Sequence, residues 1–226
     1  AFSGCSALAD VSHVSTSLSS IGRDAFAGTA FFNDEAADTV YIGTWFVGCK
    51  SGDMQKNSVK DGTVGIADYA LAGCEKFGDA LILPNSVKYI GAYAFSGCTK
   101  LNVAVIGSGV TVLGERAFSG CTGLSRMILG SYRSGNNAGL DESSLLTIGD
   151  YAFRGCANLS AIDIPDTVEK IGMFAFRDTG MYTSATRDVY AGRWYVECKA
   201  DDAFGAVAVN DGTVGIADYA FYRCKS

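Results

Sequence analysis

The 226-residue chain carries a net charge of −6, with 18 Lys and Arg scattered and nowhere clustered. That argues against a groove that tracks nucleic-acid phosphates. Apolar residues make up 48% of the chain, yet no run approaches the roughly 18 consecutive apolar residues of a bilayer span, so no membrane insertion is expected within it. The apolar content belongs to an internal core.

Read from the N-terminus, one phrase keeps returning: Ala-Phe-x-Gly-Cys, usually preceded by Ile-Gly-x-x. Its aromatic, or a substitute for it, falls at Phe2, Phe26, Leu71, Phe95, Phe118, Phe153, Phe176 and Phe221. The basic spacing is about 23 residues, and a fixed period of roughly 20–30 residues indicates a solenoid. Two wider gaps each hide a disguised copy, Val40 to Lys50 and Val189 to Lys199, in which Phe46 and Tyr195 supply the ring. This makes about ten turns of a single repeat domain spanning residues 1–226, irregular over 31–60 and 182–210. Because both ends fall inside a repeat, the chain reads as a fragment of a longer protein.

His13, in the first turn, has no nucleophile at a matched position and reads as a structural or surface residue. Within the two disguised copies, Gly43-Thr44 between Val40-Tyr41-Ile42 and Trp45-Phe46-Val47 is a hairpin signal, and the segment around Trp194 is its sibling. Both tryptophans are expected to pack within those turns. The segment 59–70 is then echoed at 209–220, which points to a duplicated block.

The clearest unit runs from Leu159 to Phe176. Leu159, Ile162 and Ile164 alternate like a short strand with one buried face, and Pro165 stops it by removing a ladder donor. Val168 and Ile171 form a second inward pair, Gly172 permits a turn, and Ala175-Phe176 is predicted to plug the core from a short helical or 3-10 segment. Six cysteines, Cys5, Cys74, Cys98, Cys121, Cys156 and Cys224, share one slot three residues after the marker ring; Thr29 and Thr179 fill it elsewhere. The slot is expected to hold buried, unpaired thiols. With one histidine and no Cys-x-x-Cys, no metal site or cofactor is expected.

The pattern Ile-Pro-x-x-Val-x-x-Ile-Gly-x-x-Ala-Phe-x-Gly-Cys resembles the BspA-like leucine-rich repeat family over nearly the whole chain. It departs at Gly107 and Gly130, which take the proline slot, and at the Trp45 and Trp194 turns. The resemblance implies an α/β-type repeat solenoid, with a parallel β-sheet on one face and short helical segments on the other. It also implies an extracellular or cell-surface bacterial protein that adheres to host matrix or other surface proteins, or to a glycan.

Outward positions of the strands are where such a ligand would bind. Ile82, Val105 and Ile128 should align as an apolar stripe ending at Asp163, with Val103 and Arg126 beside it. The insertion 131–142 offers Tyr132 and Arg133 as further anchors. Asp141-Glu142 and Asp201-Asp202 lack calcium-loop spacing and read as solvated charge. No nucleophile, base or metal set assembles, so a non-enzymatic binding module is expected, the alternative being a spacer that presents a neighbouring domain.

Overall fold

The computed structural model describes residues 1–11, 18–33, 38–55, 58–77, 80–130, 143–199, 207–222 and 224. It is the expected repeat solenoid, and helix is a minor part of it. Successive coils are joined by three rows of backbone hydrogen bonds, around a core filled by the inward side chains of each row.

The first row is the longest sheet. It begins with a hairpin, β1 (Thr39–Ile42) antiparallel to β2 (Trp45–Cys49), turning at Gly43-Thr44 as anticipated. The short parallel strands β3 (Gly65–Ile66), β5 (Tyr89–Ile90), β7 (Val112–Leu113), β9 (Thr147–Ile148) and β10 (Lys170–Ile171) follow in register. These are the Val-x-x-Ile positions, and Ile66, Ile90, Leu113, Ile148 and Ile171 are all buried. A second hairpin, β11 (Asp188–Ala191) with β12 (Trp194–Cys198), repeats the first and pairs parallel with β13 (Gly215–Ile216). Each hairpin follows a short helix, α1 (Ala30–Asn33) or α2 (Gly180–Ser184), started by the Thr that replaces Cys in the marker slot. Thr29 and Thr179 accept from the backbone N–H of Phe32 and Tyr182 and so cap these helices.

The second row is shorter: β4 (Leu81–Ile82), β6 (Val103–Val105) and β8 (Arg126–Ile128), all parallel. Residues 159–164 occupy the corresponding place in a later coil, but the expected strand does not form there. The 131–142 insertion lies between β8 and this segment, although β7 and β9 pair in register across it. Leu159 and Ile162 are buried nonetheless.

The third row is built by the marker segments. Phe95 and Gly97 donate to the carbonyls of Ala117 and Ser119, and Phe118 and Gly120 to those of Ala152 and Arg154, at 2.7–2.8 Å. The segment is a run of stacked turns, whereas a helical or 3-10 piece was expected. The reason lies in φ: Tyr93 and Gly97, Arg116 and Gly120, and Tyr151 and Gly155 all sit in the left-handed region, between 52° and 75°. A right-handed helix cannot run through two such residues four apart.

Marker rings stack from coil to coil, Phe95 on Phe118 at 4.9 Å, Phe118 on Phe153 at 5.8 Å and Phe153 on Phe176 at 5.3 Å. Phe46 and Tyr195 are fully buried, as their place in the period predicts. Phe2 and Phe221 are the exposed members of the row. Both tryptophans are buried in their hairpins. The space is made by Gly65 and Gly215, where a Cβ would come within 2.5 Å of the Trp45 or Trp194 ring.

The cysteine slot divides. Cys74, Cys98, Cys121 and Cys156 are buried and reduced. The thiols of Cys98, Cys121 and Cys156 donate to the carbonyls of Leu71, Phe95 and Phe118 at 3.0–3.1 Å. Hydrogen bonding to Cys121, together with burial, pushes Cys98 and Cys156 well above the usual thiol range, and burial raises Cys74. Two members depart from the expected buried, unpaired row. Cys5 is exposed. Cys224 forms a disulfide with Cys198, at the end of β12. The backbone bond from Cys198 N to Ala220 O and the stacking of Tyr195 on Phe221 bring the two sulfurs together.

The thiolate is the nucleophile. It reacts only where reagent reaches it, so brief alkylation of the folded protein at neutral pH should modify exposed Cys5 and leave buried Cys74, Cys98, Cys121 and Cys156 unmodified until denaturant is added. Peptide mass mapping would check this, and rapid native labelling of Cys121 would overturn the buried row.

Candidate ligand-binding face

The strand pair β4–β6 is in register with Ile82 opposite Val105, and β6–β8 with Val105 opposite Ile128 and Val103 opposite Arg126. Five of the eight sequence-predicted residues thus share one surface. Strand alternation turns Leu81, Ala104 and Met127 into the core, which leaves the other set on the outside.

Exposure along this row is uneven. Ile82 is 66% exposed and Ile128 partly so, but Val105 is only 7% exposed, against the expectation that it faces outward freely. Val105 lies on the central strand, and the side chains of Ile82 and Ile128 flank it from both neighbours. The stripe is therefore an apolar ridge, open most widely at Ile82 and floored by Val105. Arg126 is exposed beside it and Val103 half-buried. Ser125 bonds Asn102 side chain to side chain at 2.5 Å, which gives the strand entry a polar edge.

Asp163 is exposed but lies in the strandless segment 159–164, so it does not extend the paired row as expected. Tyr132, Arg133, His13, Asp141-Glu142 and Asp201-Asp202 fall outside the described residues. Among the described residues no group of three His, Cys, Asp or Glu gathers to hold a metal ion, and no helix is long and apolar enough to cross a membrane.

One buried charge does not follow from the periodicity. Glu197 on β12 is 3% exposed and pairs with Arg177 at 2.8 Å. Burial pushes its carboxyl above the usual range against the pull of Arg177. The pair ties the second hairpin to the preceding marker segment.

Among solved structures, the chain is similar to a leucine-rich repeat protein from Bacteroides ovatus (22% identity, TM-score 0.46, covering 71% of this chain and 32% of that one). It is also similar to one from Eubacterium ventriosum (17%, 0.40, 74% and 59%). A third is a leucine rich cell surface protein from Faecalibacterium prausnitzii (19%, 0.37, 72% and 41%). The chain spans less than two thirds of each of these proteins' length. No curated protein matches. The family model for the BspA type leucine rich repeat region matches in six copies over residues 46–138 and 134–188. These residues contain the coils whose rings, thiols and strands stack most regularly, and the chain belongs to the BspA-type leucine-rich repeat family.

Proposed function

We propose that this solenoid is a non-catalytic binding module of a secreted or cell-surface protein, adhering to a protein partner through the β4–β6–β8 face. The observation that carries the reading is Ile82, an apolar side chain left 66% exposed at the head of a register-aligned apolar row. Large apolar side chains grouped on a rigid surface mark contact sites, and a solenoid presents them on a fixed repeat. Membership of a repeat family whose members act as surface binding proteins supports the setting. Host matrix proteins such as fibronectin and fibrinogen are the partners that the family resemblance implies.

The test is surface binding of the chain to a panel of matrix proteins, beside Ile82→Asp and Ile128→Asp. Ile82 is exposed enough that its substitution should leave the melting curve unchanged. We expect saturable binding to at least one panel member and at least a tenfold loss in Ile82→Asp. No binding up to about 100 μM, a concentration that detects interactions of about −5.5 kcal/mol, would overturn the reading in favour of a spacer.

A further inference from the structure

The two hairpins create a feature that occurs twice. Between the tip of β1–β2 and the turn that leads into β3 lies an open cavity of about 350 Å³, lined by Tyr41, Gly43, Thr44, Lys60, Asp61 and Thr63. Between the tip of β11–β12 and the turn into β13 lies another of about 220 Å³, lined by Tyr190, Gly192, Arg193, Asn210, Asp211 and Thr213. The linings correspond position by position.

The backbones correspond as well. Gly43 and Gly192 have φ of 54° and 56°, and Gly62 and Gly212 of 84° and 83°. The Tyr41 hydroxyl accepts from Lys60 N at 2.9 Å, and the Tyr190 hydroxyl from Asn210 N at 2.9 Å. In Pro84 and Pro165 coils the same slot has no N–H to give. Replacing proline there and placing a tyrosine on the preceding hairpin are therefore two halves of one device, and both copies retain both halves. The Thr63 and Thr213 hydroxyls lock the turn by donating to the carbonyls of Lys60 and Asn210 at 2.6 and 2.7 Å.

What the cups share and what they vary defines the ligand chemistry. Both keep a half-buried tyrosine ring, an exposed aspartate and glycine-lined rims. Each also borders one cationic side chain that is already engaged within the protein: Lys60 lies over the Tyr41 ring in the first, and Arg193 pairs with Asp166 in the second. A carboxylate can accept from two adjacent hydroxyls, and an ammonium or guanidinium that is already engaged keeps further N–H groups to donate to a third oxygen. A tyrosine supplies an apolar body with a polar tip. The volumes sit at or below the small end of ligand pockets, roughly 300–1,000 Å³, which suits a single ring. An aspartate in each cup disfavours an anionic ligand, and the polar lining disfavours an apolar one.

We infer that the two hairpin cups are a pair of equivalent saccharide subsites, each taking one neutral sugar ring of a repeating glycan. The second hairpin follows the first after about six strand spacings, roughly 30 Å along the stack at about 4.8 Å per strand. A polymer that reaches both cups gains avidity, which can exceed the single-site affinity by about 10²–10⁴. This site does not rest on the sheet-face reading, and neither cup includes a residue of β4, β6 or β8.

The experiment is affinity electrophoresis of the native chain through gels containing mannan, β-1,3-glucan, arabinogalactan or hyaluronan. Ligand-observed NMR with mannose, glucose, galactose and N-acetylglucosamine accompanies it. Asp61 and Asp211 are exposed, so Asp61→Ala, Asp211→Ala and the double variant should keep the native melting curve. We expect retardation by at least one neutral polymer. Either single variant should weaken it at least about tenfold through lost avidity, while roughly half of the monosaccharide signal survives. The double variant should lose both, and Ile82→Asp should lose neither. Retention of the polymer by the folded double variant, retardation by hyaluronan alone, or no retardation by any polymer would each overturn the proposal. So would loss of a protein ligand, and not a sugar, on mutating the aspartates.

Discussion

Phe118→Ala should lower the unfolding free energy by about 3–5 kcal/mol, the range for truncating a buried aromatic. Phe118 is fully buried and stacked between Phe95 and Phe153, so both faces of the ring lose a partner. In a solenoid each coil touches only its neighbours. A cavity in a central coil therefore weakens the joint between two halves and cannot be spread over a globular core. Phe221→Ala is the internal control: its ring is 38% exposed and, among the described residues, stacks on Tyr195 alone, so the loss should be less than half as large. Chemical denaturation of the pair would check this, and a loss below about 1 kcal/mol for Phe118→Ala would contradict the inward placement of the marker ring.

Adding one methyl group should cost nearly as much as removing a ring. Gly91, Gly114, Gly149 and Gly172 form a column in which each lies against the backbone of the preceding coil. A Cβ on Gly114 would come within 2.6 Å of Gly91 C and 2.7 Å of Ala92 N. Backbone cannot rotate away as a side chain can, so Gly114→Ala must push two coils apart. The same glycine donates its N–H to Ile90 O at 2.8 Å, a bond that the displacement would break. We expect a loss of about 3 kcal/mol, at the upper end of overpacking penalties. Gly120→Ala separates this effect from conformational strain: its φ is +74°, but the nearest atom to its Cβ would be 3.7 Å away. That substitution should cost only about 1–2 kcal/mol, the left-handed penalty for an L-residue. Equal losses in the two variants would show that close coil approach is not what selects glycine at position 114.

The two results differ in what a reader of the residues could foresee. The inward position of Phe118 follows from its place in the period, as do the burial of Phe46 and Tyr195 in the disguised copies. The turn at Gly43-Thr44 was legible from local chemistry, since a two-residue link between apolar strands has few solutions. Gly114 reads as a turn residue from the chain alone, and its contact with Gly91 exists only because the coils stack so closely.

The candidate sites divide in the same way. Alignment of Ile82, Val105 and Ile128 could be read from the spacing, because equal coil lengths force equal register. The burial of Val105 could not, since it depends on the side chains of both neighbouring strands. The hairpin cups were legible only as a repeated phrase: Asp61-Gly62-Thr63 and Asp211-Gly212-Thr213 announce two similar turns, but the cavity needs the hairpin tip folded over each of them.

Periodicity thus determined the repeat architecture, the inward set of rings and aliphatics and the shared slot of the cysteines, and local turn chemistry added the two hairpins. These depend on which residues recur at which interval, and an interval is a property of the chain. Only the tertiary structure decided that Cys224 bonds Cys198, that left-handed residues such as Tyr93 replace a helix by stacked turns, and that residues 159–164 form no strand. Each of these is settled by what the adjacent coil offers, a sulfur, a carbonyl or a strand edge, and that neighbour is brought alongside only by folding.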